Sequence, residues 1–228
     1  MASMKEKCIS VCNDFVKALS DIKEENKSRI DYDKILNILD CIHLEENYHL
    51  KVRFPHFRGH GDKSWFYCYK GDTDTYEEEY NNRVREVDDF IICYCYDEIH
   101  NIFNHLEIEP TYLGAWQAYL MSTATHFLPT CWHGGYSKRV LVFHSNDILE
   151  RKSGLFWLER PDNIPDLGEL PPSVTFNGNK AIVKACYWNS WSGLVRETVE
   201  IRFLGNRAYF LDSPQKEILF KYDCKIRY

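Results

Sequence analysis

The sequence predicts an α+β protein with about four helices, mostly N-terminal, packed on a curved antiparallel sheet of six or more strands, mostly C-terminal. Up to residue 128, apolar side chains recur every three or four positions in several stretches, which is typical of helices with one buried face. After WHGGY, residues 132–136, short apolar runs are separated by turn residues, as in antiparallel sheets. Because the helices precede most strands instead of alternating with them, the pattern favours α+β over α/β.

Helical periodicity occurs in four stretches, namely residues 4–25, 31–43, 75–106 and 111–128. Asp31 or Asp33 is a suitable N-cap for the second stretch, since a short carboxylate can accept hydrogen bonds from the first turn. Acidic residues open the third stretch, where the helix dipole favours negative charge. Pro129 ends the fourth stretch because proline cannot continue a helix.

An early hairpin interrupts the helices. In YHLKVRF, residues 48–54, Leu50, Val52 and Phe54 alternate with basic side chains, which predicts a half-buried strand. SWFYCYKG, residues 64–71, is a second extended run, rich in aromatic residues. The glycine-containing segment between them predicts a hairpin with a long loop.

The C-terminal part reads as an antiparallel meander. Its expected strands are KRVLVFH, SVTF, KAIVKACYW, GLVRETVEIRF, RAYFL, EILFKY and KIRY. The segments NGN, GN and DSPQ lie between several of these strands and are rich in turn-forming residues. Without an internal repeat or a flexible linker, residues 1–228 are expected to form a single compact domain, helix-rich over 1–135 and β-rich over 136–228.

Composition excludes several function classes. The formal net charge is −6, and residues 1–110 are the more acidic part, which argues against a nucleic-acid-binding protein. An odd number of cysteines, nine, with no regular framework and no secretion signal indicates reduced thiols and a cytoplasmic location. No apolar segment reaches 18 residues, so no membrane association is expected. Zinc-binding and phosphate-binding motifs are missing too, and we expect neither metal nor cofactor.

The segment HFRGHGDKSW, residues 56–65, is the first candidate site. Arg58 can hold a carboxylate or phosphate in its planar fork, and His60 can act as an acid or base. Asp62 can orient the imidazole. The alternative is a glycine-rich turn whose polar side chains face water.

Two further segments contain candidate residues. In TCWHGGYSKR, residues 130–139, His133 is a candidate base, although the glycines also suit a turn after a helix. In CYWNSWSGLVRE, residues 186–197, Trp188 and Trp191 lie around a turn between two long strands. Exposed tryptophans on sheets bind ligands by stacking, while buried ones close a core.

We therefore expect a cytoplasmic binding or interaction domain whose aromatic-lined cleft takes a small polar or anionic ligand or a partner chain. The ligand-binding candidates are Arg58, His60, Trp188 and Trp191. The alternative is a hydrolase or transferase in which His60 or His133 is the general base, with Arg58 as anion clamp. A third possibility is an assembly subunit whose aromatic residues form a homodimer face.

Overall fold

The computed structural model describes residues 3–22, 26, 29–54, 64–74, 102–128, 138–150 and 164–222. Its helices are α1 (Met4–Ser20), α2 (Tyr32–Leu36) and α3 (Tyr112–Thr123), together with one four-residue helical turn, Asp147–Glu150. Two short 3-10 helices cover Ile102–Asn104 and Ala124–His126. The strands are β1 (Ile42–Leu44), β2 (Tyr48–Arg53), β3 (Trp65–Lys70), β4 (Leu106–Ile108), β5 (Val140–Leu141), β6 (Ser173–Asn177), β7 (Lys180–Asn189), β8 (Gly193–Leu204) and β9 (Arg207–Phe220).

Local sequence signals explain where the helices begin. Ser3 and Glu6 form a capping box at the start of α1, each satisfying a backbone N–H of the other residue. The Asp31 carboxylate accepts a hydrogen bond from the Lys34 backbone N–H at 3.2 Å, so the predicted cap of α2 is confirmed. Thr111 caps α3 in the same way through the backbone N–H of Gly114.

All strand pairs are antiparallel among the described strands. The main sheet has five strands in the order β5-β7-β8-β9, with β6 also paired to β7. The predicted hairpin is confirmed, since β2 pairs with β3 from Tyr48↔Lys70 to Arg53↔Trp65. A separate two-stranded sheet joins β1 to β4.

The main sheet is covered on both faces near the β7–β8 turn. Alternate residues of β7, including Ala185 and Tyr187, pack into the main core together with α1, α2 and α3. Their neighbours Cys186 and Trp188 point to the other face and pack into a second cluster. The remaining buried members of this second cluster are Val142, Ile148, Leu170 and Leu194.

The predicted helices differ from the described ones in number and extent. The second, expected over residues 31–43, is only Tyr32–Leu36, and Ile42–Leu44 form β1. Only three helices longer than one turn occur in the part of the chain that the structure describes, not about four. The expected third helix, residues 75–106, lies outside the described residues up to position 101. Its expected end is a 3-10 turn followed by β4, because Leu106 and Ile108 alternate as buried strand residues.

The sheet also differs from the prediction. It is not strongly curved, and ten consecutive residue pairs join β7 to β8 without a register shift. The runs RAYFL and EILFKY belong to one strand, β9, because DSPQ (212–215) is absorbed by a register shift opposite Thr198 and Glu200. This fusion leaves five strands in the described main sheet. No helix of the described residues is both long and apolar enough to cross a membrane.

Candidate functional site

A buried carboxylate lies on the core face of the main sheet. Glu197 is in β8, where it shares one face of the strand with Val195 and Val199, which are both buried in the main core. Its side chain is 1% exposed, and its neighbours across the sheet are Ala185 and Lys216. Acidic side chains are almost never fully buried without strong partners, so this position requires an explanation.

The two oxygens of this carboxylate have different environments. Oε2 of Glu197 accepts hydrogen bonds from the Tyr119 hydroxyl at 3.2 Å and from Nη1 of Arg139 at 2.8 Å. Oε1 is buried and has no hydrogen-bond partner among the described residues. An unsatisfied buried polar group costs about 1–3 kcal/mol, and more when it is charged. We call Glu197, Tyr119, Arg139 and Tyr187 the Glu197 centre.

Helix α3 supplies Tyr119, one of the two tyrosines of the Glu197 centre. Residues 114–121 of α3 are buried on all sides of the helix, because the helix lies between α1 and the sheet. Trp116 stacks on Tyr119, with ring centroids 5.4 Å apart, and its indole N–H donates to the Cys8 backbone carbonyl of α1. These contacts fix the direction in which the Tyr119 hydroxyl points.

The segment leading into β5 supplies the cation. Arg139 directly precedes β5, and the register Leu141↔Tyr187 places it beside β7. Its guanidinium lies 4.4 Å from the Tyr187 ring centroid, a cation–π contact. The Arg139 side chain is 15% exposed, which makes it the more accessible member of the ion pair with Glu197.

Both tyrosines of the Glu197 centre are neutral at physiological pH. Burial raises the pKa of Tyr119 well above its usual value, and the nearby charge of Glu197 raises it further. Burial also raises the pKa of Tyr187. The Tyr119 phenol and the Arg139 guanidinium both donate to Oε2 of Glu197, which leaves Oε1 as the unused acceptor of the centre.

None of the sequence-predicted site residues is among the members of the Glu197 centre. Arg58, His60, Asp62 and His133 fall outside the described residues, and their roles stay predictions. Trp188 is 4% exposed and packs against the Phe220 and Tyr222 rings in the second cluster. Trp191 is 39% exposed, so a solute can reach this tryptophan but not Trp188, and the two do not form a joint stacking surface.

Sequence reasoning missed every member of the Glu197 centre. A signal was present: in LVRETVEI, Val195, Val199 and Ile201 share one face with Glu197, which places a carboxylate in an otherwise apolar row. Nothing local connects that row to Tyr119 or Arg139.

The described residues contain no group of three or more His, Cys, Asp or Glu side chains that could hold a metal ion. The Glu197 centre has a single carboxylate, which fits hydrogen bonding better than metal coordination. No family model, no curated protein and no solved structure matches this chain. The chemistry of the side chains is therefore the available guide to function.

Proposed function

We propose that this chain is a binding domain for a small polar ligand that donates a hydrogen bond to Oε1 of Glu197. The observation that carries the proposal is this buried carboxylate oxygen, which has no partner among the described residues. A carboxylate needed only for packing would be replaceable by an apolar side chain, often without loss of stability. Its position beside a phenol and a guanidinium suits recognition of a polar molecule.

The charges of the Glu197 centre narrow the class of ligand. Glu197 and Arg139 neutralise each other at 2.8 Å, so an added net charge on the ligand would be buried without a counter-ion. The ligand class is therefore small and uncharged, with at least one N–H or O–H donor.

Two ring molecules of the same shape test the proposal. Pyrrole carries an N–H donor, whereas furan has the same five-membered ring and no donor. A hydrogen bond to a charged group contributes about 1.5–3 kcal/mol, so pyrrole should bind roughly 10–150 times more tightly than furan. Chemical-shift titration by NMR measures both affinities, and shifted resonances near Tyr119 locate the site.

Matched variants connect any preference to Glu197. Glu197→Gln keeps the side-chain shape. When the glutamine oxygen accepts the hydrogen bond from Arg139, the amide N–H₂ takes the place of Oε1 and faces the ligand. The pyrrole preference should then disappear. Glu217→Gln is the control, because Glu217 pairs with Arg196 on the solvent-exposed part of the same sheet. Equal affinities for the two rings in the wild type, no binding of either ring, or a preference that survives in Glu197→Gln would contradict the proposal.

A further inference from the structure

A second polar cluster surrounds His105, which follows the 3-10 helix Ile102–Asn104. Nδ1 of His105 lies 3.1 Å from Oε2 of Glu45, and the imidazole stacks on the Tyr48 ring with centroids 4.1 Å apart. The backbone holds the same residues together, since the Glu45 N–H donates to the His105 carbonyl at 3.0 Å. Glu45 and Tyr48 flank the short turn between β1 and β2.

Arg207 fixes the carboxylate of Glu45. Its guanidinium pairs with the second oxygen of Glu45 and also donates to the backbone carbonyls of Asn104 and Leu106 at 2.9 and 3.1 Å. An ionised Glu45 accepts the Nδ1 proton of His105, which leaves the lone pair on Nε2. Nε2 forms no hydrogen bond with the residues that the structure describes, and the side chain is 29% exposed.

Lys70 places an ammonium group near this imidazole. Lys70 is exposed at the end of β3, and its Nζ lies 5.7 Å from the Tyr48 ring centroid. It forms no ion pair within the described part of the chain. Burial, and secondly the charge of Lys70, lower the pKa of His105 below 6.5, so its imidazole is neutral at physiological pH.

We propose that His105 is the general base of a hydrolytic site for small esters that carry a carboxylate, with Lys70 binding that carboxylate. Nε2 takes a proton from a water molecule while the water oxygen forms a bond to the ester carbonyl carbon. The tetrahedral intermediate then collapses, its bond to the alkoxy oxygen breaks, and the alcohol leaves with the proton from Nε2. One ester and one water give one carboxylic acid and one alcohol, and no cofactor is required.

Glu45 and Arg207 are positioning residues in this scheme. Glu45 keeps the imidazole in the tautomer with a free Nε2, and Arg207 keeps Glu45 ionised and oriented. The site differs from the sequence-predicted His60 and His133, and it does not depend on the proposed ligand of the Glu197 centre. A failed pyrrole titration therefore leaves this proposal standing, and a failed hydrolysis assay leaves the binding proposal standing.

The test uses two activated esters of different charge. Mono-para-nitrophenyl glutarate carries a free carboxylate, and para-nitrophenyl acetate does not; both release coloured para-nitrophenolate. The full chain should hydrolyse the glutarate ester faster than an equal concentration of free imidazole does. His105→Gln should lower kcat/KM by at least about 100-fold, the usual contribution of a general base.

His49→Gln is the matched control. His49 also pairs through Nδ1 with a carboxylate, Asp33 at 2.9 Å, and its side chain is partly exposed, but it has no place in the proposed site. This variant should keep the wild-type rate. A wild-type rate no higher than that of imidazole, an unchanged rate in His105→Gln, or an equal loss in His49→Gln would overturn the proposal.

The exposed Lys70 gives a second test that does not endanger folding. Lys70→Met should raise KM for the glutarate ester several-fold and leave para-nitrophenyl acetate unaffected near neutral pH. Because the charge of Lys70 lowers the pKa of His105, the variant should also move the rising limb of kcat/KM to higher pH. Unchanged ester selectivity and an unmoved pH profile in Lys70→Met would contradict the assigned role.

Glu45→Gln tests the positioning role. It should lower kcat, because the imidazole of His105 is then no longer held in the tautomer with a free Nε2.

Discussion

Replacing Arg139 with methionine should destabilise the fold by about 3–5 kcal/mol, the usual cost of breaking a buried ion pair. The magnitude follows from the surroundings of Glu197. Its side chain is 1% exposed, and without Arg139 the Tyr119 hydroxyl at 3.2 Å would be the one hydrogen-bond donor left to its carboxylate among the described residues. The variant would therefore leave a nearly uncompensated charge in the main core.

The double variant Arg139→Met/Glu197→Met separates charge from packing. It removes both charges and fills the space with apolar side chains, a change that is often neutral or stabilising by about 1–4 kcal/mol for buried pairs. The Tyr119 hydroxyl loses its acceptor, which costs about 1 kcal/mol. We therefore expect the urea midpoint of the double variant to lie close to that of the wild type and well above that of the single variant.

Urea denaturation followed by circular dichroism measures these differences at constant slope m. Arg196→Met is the control, since Arg196 pairs with Glu217 at 2.9 Å where both side chains are exposed, and such pairs contribute about 0–1 kcal/mol. If the double variant is as unstable as Arg139→Met, the ion pair is required for the fold. Glu197 would then be retained for stability, and no ligand would be needed to explain its burial.

Three further predictions concern the fold. Gly193 has φ +82° and an added Cβ would lie 2.1 Å from the Phe220 carbonyl oxygen, so Gly193→Ala should cost several-fold more stability in urea than Gly178→Ala, where φ is +61° and nothing lies within 4 Å. Trp188→Ala should cost about 3–5 kcal/mol in the same assay because it empties the centre of the second cluster. Burial raises the pKa of Cys68 to about 12, so the folded state favours the thiol and stability should fall as the pH rises from 9.0 towards 12. Cys68→Ser should weaken that fall in a pH series of melting curves.

Patterns that span a few residues were sufficient to predict the hairpin. Leu50 and Val52 share one face of β2 and are buried in the main core, as their alternation indicated. The segment around Gly178 is a tight turn with positive φ between β6 and β7, which an NGN sequence favours. In such places the local preference and the tertiary structure agree.

Pro214 shows why the expected strands RAYFL and EILFKY form the single strand β9, while the expected strand KIRY lies outside the described residues. Within DSPQ it indicated a turn that would divide the last ribbon in two. β9 is the last strand in the pairing order of the described sheet, and a proline is tolerated in an edge strand where its missing N–H is not needed for pairing. The proline is visible in the sequence, but whether its strand lies at the edge or in the middle of the sheet is not.

The Glu197 centre could not be predicted for a different reason. Tyr119 is 78 residues from Glu197 in sequence, and Arg139 is 58 residues away. Their meeting depends on the position of α3 above the sheet and on the pairing of β5 with β7. No periodicity in a short window contains that information.

The different exposure of the reactive atoms is the reason why we propose binding for one polar cluster and hydrolysis for the other. In each cluster an arginine from a distant segment fixes one carboxylate, Arg139 on Glu197 and Arg207 on Glu45. Oε1 of Glu197 is enclosed, so water reaches it poorly and a bound donor would exchange slowly; this suits binding. His105 is accessible to solvent, and hydrolysis needs both water and a neutral imidazole at the same place. Because β8 carries Glu197 and its neighbour β9 carries Arg207, one pair of hydrogen-bonded strands contributes a residue to each cluster.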